Sequence, residues 1–319
     1  MIYTVTMNPA VDCVMELSSF EPGAVNRSRG QELYFGGKGI NVSTVLFELG
    51  CPTCVLGFIA GFTGQGLKSH LNTVGIPEKL ISLDKGQTRI NVKFRGSAGG
   101  RGVAAAGVET AVNAPGPVIG DNALAELGRL LETCQLGDSV VLTGGIPKGL
   151  APGVYAELME QHIGQGVRVV VDAVGEPLEA VLPRRPFLIK PNEDEIAEVL
   201  GLDDPTREQI VQGARELQVA GAANVLVSLG GNGALLCDEF GEVHEKAAPS
   251  GKLVNSVGAG DSMVAGFLCE LERVISSGEP LDSGAYQSAF EFSLACGSAT
   301  AFSPGLATRA DIERLAGTI

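Results

Sequence analysis

The segment Asn255-Ser256-Val257-Gly258-Ala259-Gly260-Asp261-Ser262 leads directly into the apolar pattern Met263, Val264, Phe267, Leu268 and Leu271. A turn of small residues and one carboxylate therefore stand at the start of a helix. The first amides of a helix lack intrahelical partners, and the helix dipole is positive there. Gly258, Ala259 and Gly260 can thus close their N–H groups on an anion while Asp261 faces the same point. That arrangement suits phosphoryl transfer, in which the protein positions groups and stabilises spread negative charge. The plainer alternative is an acidic residue favoured in a first helical turn and unconnected with chemistry.

A second cluster, Phe35-Gly36-Gly37-Lys38-Gly39-Ile40-Asn41, precedes Val42, Val45, Leu46 and Leu49, with Gly50 as a stop signal. It is not a Walker A loop, because Lys38 is followed by Gly39 rather than Ser or Thr. Gly258-Ala259-Gly260 is not a dinucleotide fingerprint either, since Met263 occupies the place of the third glycine.

Positioning such groups requires a scaffold, and its pattern is visible. Residues 2–7, 55–60, 139–143, 167–172, 187–190 and 224–229 form short apolar runs, as in strands covered on both faces. Amphipathic stretches at 121–133, 152–164, 193–200 and 205–220 lie between them. The alternation predicts an α/β fold with three layers, a mostly parallel sheet between helices, and ligands at the carboxyl ends of the strands. Residues 88–94 break the pattern by alternating Arg89, Asn91 and Lys93 with Ile90, Val92 and Phe94. A period of two marks a half-exposed strand. Residues 97–107 read as a turn, 108–113 as a returning strand, and 12–34 as a polar non-helical insertion. The two insertions predict a small β-sheet lid over the site.

Composition narrows the class. The 319 residues include 45% hydrophobic residues and 44 glycines, as in a compact α/β enzyme. A net charge of −14 argues against nucleic-acid binding, which depends on Lys and Arg displacing counterions. A small anion needs only a local cluster of cations. No apolar run approaches the roughly 18 residues of a membrane helix, and a soluble cytoplasmic protein is expected. The seven cysteines are expected to be reduced thiols, and Cys51-Pro52-Thr53-Cys54 lacks the partners of a zinc site. His70, His162 and His244 are expected at the surface.

Against this background the chain resembles the PfkB family of ribokinase-like carbohydrate kinases over nearly its whole length. The resemblance rests on Thr6-Met7-Asn8-Pro9-Ala10-Val11-Asp12, the 36–41 loop, Thr88-Arg89-Ile90-Asn91-Val92-Lys93, residues 109–117, Lys190-Pro191-Asn192, Ser228-Leu229-Gly230, the 258–261 turn and residues 297–303. It implies one ribokinase-like domain over 1–319, with a lid from about 12–34 and 87–114. Segments 88–93 and 297–303 point to the branch that uses ATP and Mg²⁺ to phosphorylate D-fructose 1-phosphate at C6. D-tagatose 6-phosphate and fructose 6-phosphate are the rival substrates. A non-catalytic sugar-phosphate sensor is the alternative of a different class, and a nicotinamide dehydrogenase a weaker one.

The resemblance also implies roles. Asp261 is the expected base, with Gly258, Ala259 and Gly260 as the anion hole. Asp12, Gly37 and Asn41 are expected on the sugar hydroxyls, and Arg27, Lys38 and Arg89 on the substrate's existing phosphate. Arg suits phosphate bidentately. Lys190, Asn192, Ser228, Gly230 and Gly233 belong to the nucleotide side, with Glu195 toward the metal. Gly145 stands where relatives often carry Ser. A homodimer through the lids is expected, with Ile90, Val92 and Phe94 as the covered stripe.

Overall fold

The computed structural model describes residues 1–96 and 109–319; the turn expected at 97–107 lies outside the described residues. Thirteen strands run in chain order: β1 (Ile2–Thr6), β2 (Ala10–Leu17), β3 (Gly30–Gly36), β4 (Thr53–Ala60), β5 (Glu78–Leu83), β6 (Arg89–Gly96), β7 (Glu109–Val112), β8 (Ser139–Thr143), β9 (Arg168–Asp172), β10 (Leu188–Ile189), β11 (Asn224–Ser228), β12 (Ala234–Cys237) and β13 (Val243–Lys246). Nine of them form one sheet in the order β13-β12-β11-β10-β9-β8-β1-β4-β5. Its pairings are parallel except those of β12 with β11 and with β13.

The apolar runs become central strands because alternate side chains enter opposite cores. Val140, Leu142, Val169, Val171, Val225 and Val227 pack on one side of the sheet, while Val141, Val170 and Leu226 pack on the other. Helices α1 (Lys38–Glu48) and α2 (Gly61–Val74) follow the first strands. Then come α3 (Asp121–Leu131), α4 (Val154–His162), α5 (Glu176–Val181), α6 (Glu193–Leu200) and α7 (Arg207–Ala220), and finally α8 (Ala259–Ser277), α9 (Ser283–Ala301) and α10 (Arg309–Ala316). Residues of α3 to α7 cover the first face, and residues of α1, α8, α9 and α10 the second. This is the expected three-layer arrangement. Both faces of the parallel strands are covered, so their sequence carries no polar alternation.

Two insertions build the second sheet, ordered β3-β2-β6-β7. Strands β2 and β3 precede α1, and β6 and β7 precede α3. Asp12 pairs in register with both Tyr34 and Asn91, so β2 is the middle of a platform whose polar face carries Asp12, Asn91 and Lys93.

The chain leaves β1 first toward β4 and β5, and later returns through β8, β9, β10 and β11 on the other side. Thr6, Thr143, Asp172, Lys190 and Ser228 therefore stand at adjoining carboxyl ends around this switch point. Open α/β sheets bind ligands in that crevice.

Two expectations are corrected. Cys51 and Cys269 form a disulfide, and the other five cysteines are free. Cys51 follows the C-terminal turn of α1 and Cys269 lies on the buried side of α8, which brings together residues 218 positions apart. His244 is not a surface residue. Its Nε2 lies 2.9 Å from the buried carboxylate of Asp238, beside Ser283, and its side chain is only 12% exposed. Strand β13 places it under α9, where its ring faces Phe290.

Candidate active site

Helix α8 is preceded by its N-cap Gly258, whose φ of 82° lies in the left-handed region and whose Cβ position would stand 2.6 Å from Leu306 Cδ2. Glycine is the residue that adopts this conformation without strain. No side chain among the described residues caps the helix, leaving its first amides available. Gly260 is needed for a different reason. A Cβ there would lie 3.0 Å from the Lys190 ammonium, so the absence of a side chain lets that cation rest against the turn. Ser262 anchors the helix start by bonding the Gly258 carbonyl and the Thr300 hydroxyl of α9.

Asp261 is 5% exposed and accepts a 2.8 Å hydrogen bond from Asn41 Nδ2 of α1. Burial, reinforced by the negative charge of Asp172, pushes its carboxyl up to about 6. The Asn41 bond, Lys38 and Lys190 pull in the opposite direction without cancelling the shift. A carboxylate tuned toward neutrality is suited to general-base work.

Asp172, which the sequence reading did not single out, organises the cations around it. It is 3% exposed, with Lys38 Nζ 3.0 Å from Oδ2 and Lys190 Nζ 3.5 Å from Oδ1. Thr143 Oγ1 donates to Oδ2 at 3.1 Å. Burial opposes its charge, but Lys190, Lys38 and the hydrogen bonds outweigh burial and hold the carboxyl below its ordinary value. For Lys38 burial again works against the charge, and Asp172, followed by Asp261 and Glu195, reverses it, raising the ammonium's pKa. The signal available in sequence was a lone acid ending the apolar run 167–172 at a strand's carboxyl end.

Three clefts meet here. One, of about 160 Å³, lies under the lid and is lined by Asp12, Gly37, Asn41, Lys93 and Tyr34. In it Asp12 is oriented by Asn91, 2.8 Å away, and by Lys93, 2.9 Å away. The second, of about 370 Å³, contains Thr6, Asn8, Lys38, Arg89 and the 143–148 turn. The third, of about 730 Å³, is lined by Asn192, Ser228, Gly230, Gly233, Gly260, Met263, Gly297 and Phe302. Asn41 faces the lid cleft and Gly260 the third, so Asp261, bonded to one and adjoining the other, stands where they approach.

The third cleft fits a nucleotide. Nothing stands within 4 Å of the Cβ positions of Gly230 and Gly231, so backbone is open to a ligand, and Met263, Leu294 and Phe302 supply apolar walls. Asn192 and Glu195 form a reciprocal capping box on α6, with Glu195 N donating to Asn192 Oδ1 at 2.8 Å and Asn192 N donating to Glu195 Oε2 at 2.9 Å. One carboxylate oxygen of Glu195 is thus committed to the helix start. Carboxylate and amide oxygens are the donors Mg²⁺ takes alongside phosphates and water. Arg27 does not join the site: it is exposed in the loop between β2 and β3 and lines none of the three clefts.

Residues 5–313 match the pfkB family carbohydrate kinase model. A 1-phosphofructokinase of Bacillus subtilis is 40% identical over 99% of this chain and 97% of its own length. A D-tagatose-1-phosphate kinase of Bacillus licheniformis is 32% identical over 100% of this chain and 98% of its own. The crystal structure of Escherichia coli phosphofructokinase-2 in complex with fructose-6-phosphate superposes with a TM-score of 0.85 at 26% identity, covering 99% of this chain and 98% of that one. The fold and site define a phosphotransferase with an alcohol group as acceptor. The chain belongs to the PfkB family of carbohydrate kinases.

Proposed function

We propose that this chain transfers the terminal phosphoryl group of ATP to the C6 hydroxyl of D-fructose 1-phosphate, giving D-fructose 1,6-bisphosphate and ADP. The observation that carries the reading is the position of Asp261, between a lid cleft containing Asp12 and a glycine-rich cleft that fits a nucleotide. The choice of sugar follows the full-length similarity to the enzyme named 1-phosphofructokinase.

In this reading Asp12 and Asn41 hold the sugar hydroxyls, and Asp261 orients the acceptor hydroxyl. A sugar hydroxyl is far less acidic than a carboxylic acid, so Asp261 accepts its proton late, as the loose transition state develops. The amides of Gly258, Ala259 and Gly260, with Lys190 beside them, stabilise charge on the migrating group. Lys38, held by Asp172, adds a second fixed cation. Ser228, Gly230 and Gly233 border the nucleotide phosphates. Asn192 and Glu195 would hold Mg²⁺ through water, and the ion would supply neutralisation of phosphate charge.

ADP release measured with fructose 1-phosphate, fructose 6-phosphate, tagatose 1-phosphate and tagatose 6-phosphate tests the assignment. The highest kcat/KM is expected for fructose 1-phosphate, and a higher value for any other would overturn it. Tagatose 1-phosphate is the second reading, carried by the full-length similarity to the kinase named for that sugar.

Dependence on ATP supports a cytoplasmic location. No helix among the described residues is long and apolar enough to cross a membrane. The lid's outer face leaves Leu33, Ile90 and Val112 exposed, with Phe20 against Phe94 at 5.2 Å between ring centres. A second copy covering this face would make a two-fold homodimer. Sedimentation at micromolar concentration should give twice the chain mass, and a fully active monomer would rule the dimer out.

A further inference from the structure

The cleft between the ends of β1 and β8 is polar in an unusual way. Five buried side-chain polar atoms among the described residues lack a hydrogen-bond partner, and three of them, Thr6 Oγ1, Asn8 Oδ1 and Arg89 Nε, belong to residues lining this one cleft. Buried polar groups are normally satisfied, so such a concentration marks the place of a polar ligand. Among the described residues three cations line it, Lys38, Arg89 and Lys148, and no carboxylate does. Lys38 is committed to Asp172, whereas neither Arg89 nor Lys148 is ion-paired among the described residues. In a chain of net charge −14, two unpaired cations in one cleft define an anion site.

The turn after β8 lines the same cleft as Arg89. Tyr155, fully buried, fixes its root, its hydroxyl lying 3.1 Å from the carbonyl oxygens of both Thr143 and Gly144. Beyond that root the turn contributes Gly144, Gly145, Ile146 and Pro147, none with a polar side chain, and then Lys148. Lys148 is thus the first side chain of the turn beyond Thr143 able to donate to an anion.

We propose that Lys148 is a specificity-determining residue of this kinase, its ammonium closing the cleft over the phosphomonoester that the sugar substrate already carries. The inference rests on the sugar-phosphate reading above. Arg89 and Lys148 both meet the phosphate, while Gly37, shared by this cleft and the lid cleft, marks the passage along which the sugar extends toward Asp261. Lys148 does not touch the reacting hydroxyl. It therefore acts on which sugar is held, and its removal raises KM more than it lowers kcat.

The experiment compares Lys148→Ala and Lys148→Arg with the parent enzyme on fructose 1-phosphate and on unphosphorylated fructose, with inorganic phosphate as a competing probe. A charge-assisted hydrogen bond corresponds to roughly a 10- to 100-fold change in affinity. Lys148→Ala should raise KM for fructose 1-phosphate by that factor, leave kcat/KM for fructose unchanged, and weaken competition by inorganic phosphate against the sugar phosphate. Lys148→Arg should restore most of the loss. Gly145→Ser supplies an independent check, since no described residue stands within 4 Å of its Cβ position. A hydroxyl introduced there should recover part of the Lys148→Ala defect. An unchanged KM for fructose 1-phosphate in Lys148→Ala, or equal losses on fructose and its phosphate, would overturn the proposal. If the parent enzyme phosphorylates none of the sugar phosphates, it is the functional reading itself that fails.

Discussion

Asn41, in the first turn of α1, donates a 2.8 Å hydrogen bond to the Oδ2 of Asp261, in the first turn of α8. The two helices start at the same point of the molecule, each without a side-chain cap among the described residues, and the bond joins the wall of the cleft under the second sheet to Asp261. Asn41 therefore acts on Asp261 electrostatically, since donating to the carboxylate favours its charged form.

This gives a pH dependence with a definite sign. Burial and Asp172 hold the Asp261 carboxyl near 6, and the protonated acid cannot accept a proton, so kcat/KM should fall as pH drops through about 6. Asn41→Ala removes a donor that lowers the value, so the acid limb should move to higher pH, by roughly one unit. A phosphomonoester substrate also titrates around pH 6. Its contribution is the same for both enzymes, so the displacement between their profiles reports the protein group. Coincident limbs would show that Asp261 is not the titrating base.

The Cys51–Cys269 bridge ties the end of α1 to α8, the same two helices that carry Asn41 and Asp261. The chain unfolded without reductant should therefore titrate five thiols, and seven after reduction. A disulfide typically stabilises the oxidised form by about 2–4 kcal/mol. Urea unfolding of the parent and of Cys51→Ser measures this, and identical midpoints would contradict it.

Much of the architecture is legible in the sequence because buried parallel strands need continuous apolar runs. The run expected at 167–172 is β9, and that at 139–143 is β8 with the same ends. Asp261, Lys190, Lys38 and Asn41 come together in the structure, each at a helix start or strand end that the local sequence marks. What escaped was pairing across distance. Asp172 matters because Lys38, 134 residues earlier, and Lys190 both reach it, and no local pattern encodes that meeting. Cys51 and Cys269 escaped for the same reason. Lys148 looks like any turn lysine until the fold places it in one cleft with Arg89.

Asp172 provides the sharpest test of the site's electrostatics, because its removal should act opposite to that of Asn41. In Asp172→Asn the negative charge that helps raise the Asp261 carboxyl is gone, while Lys38 and Lys190, which lower it, remain. The acid limb of kcat/KM should therefore move to lower pH. Stability should fall at the same time, since Lys190, only 7% exposed, loses its buried partner. Breaking one side of a buried pair typically costs about 3–5 kcal/mol. On the proposed reading turnover should drop as well, because Lys38 is no longer held by Asp172. Urea midpoints and pH profiles measured on the same variant separate these effects. A limb that moved upward, or stayed in place while stability fell, would mean that Asp172 supports the fold without tuning the base.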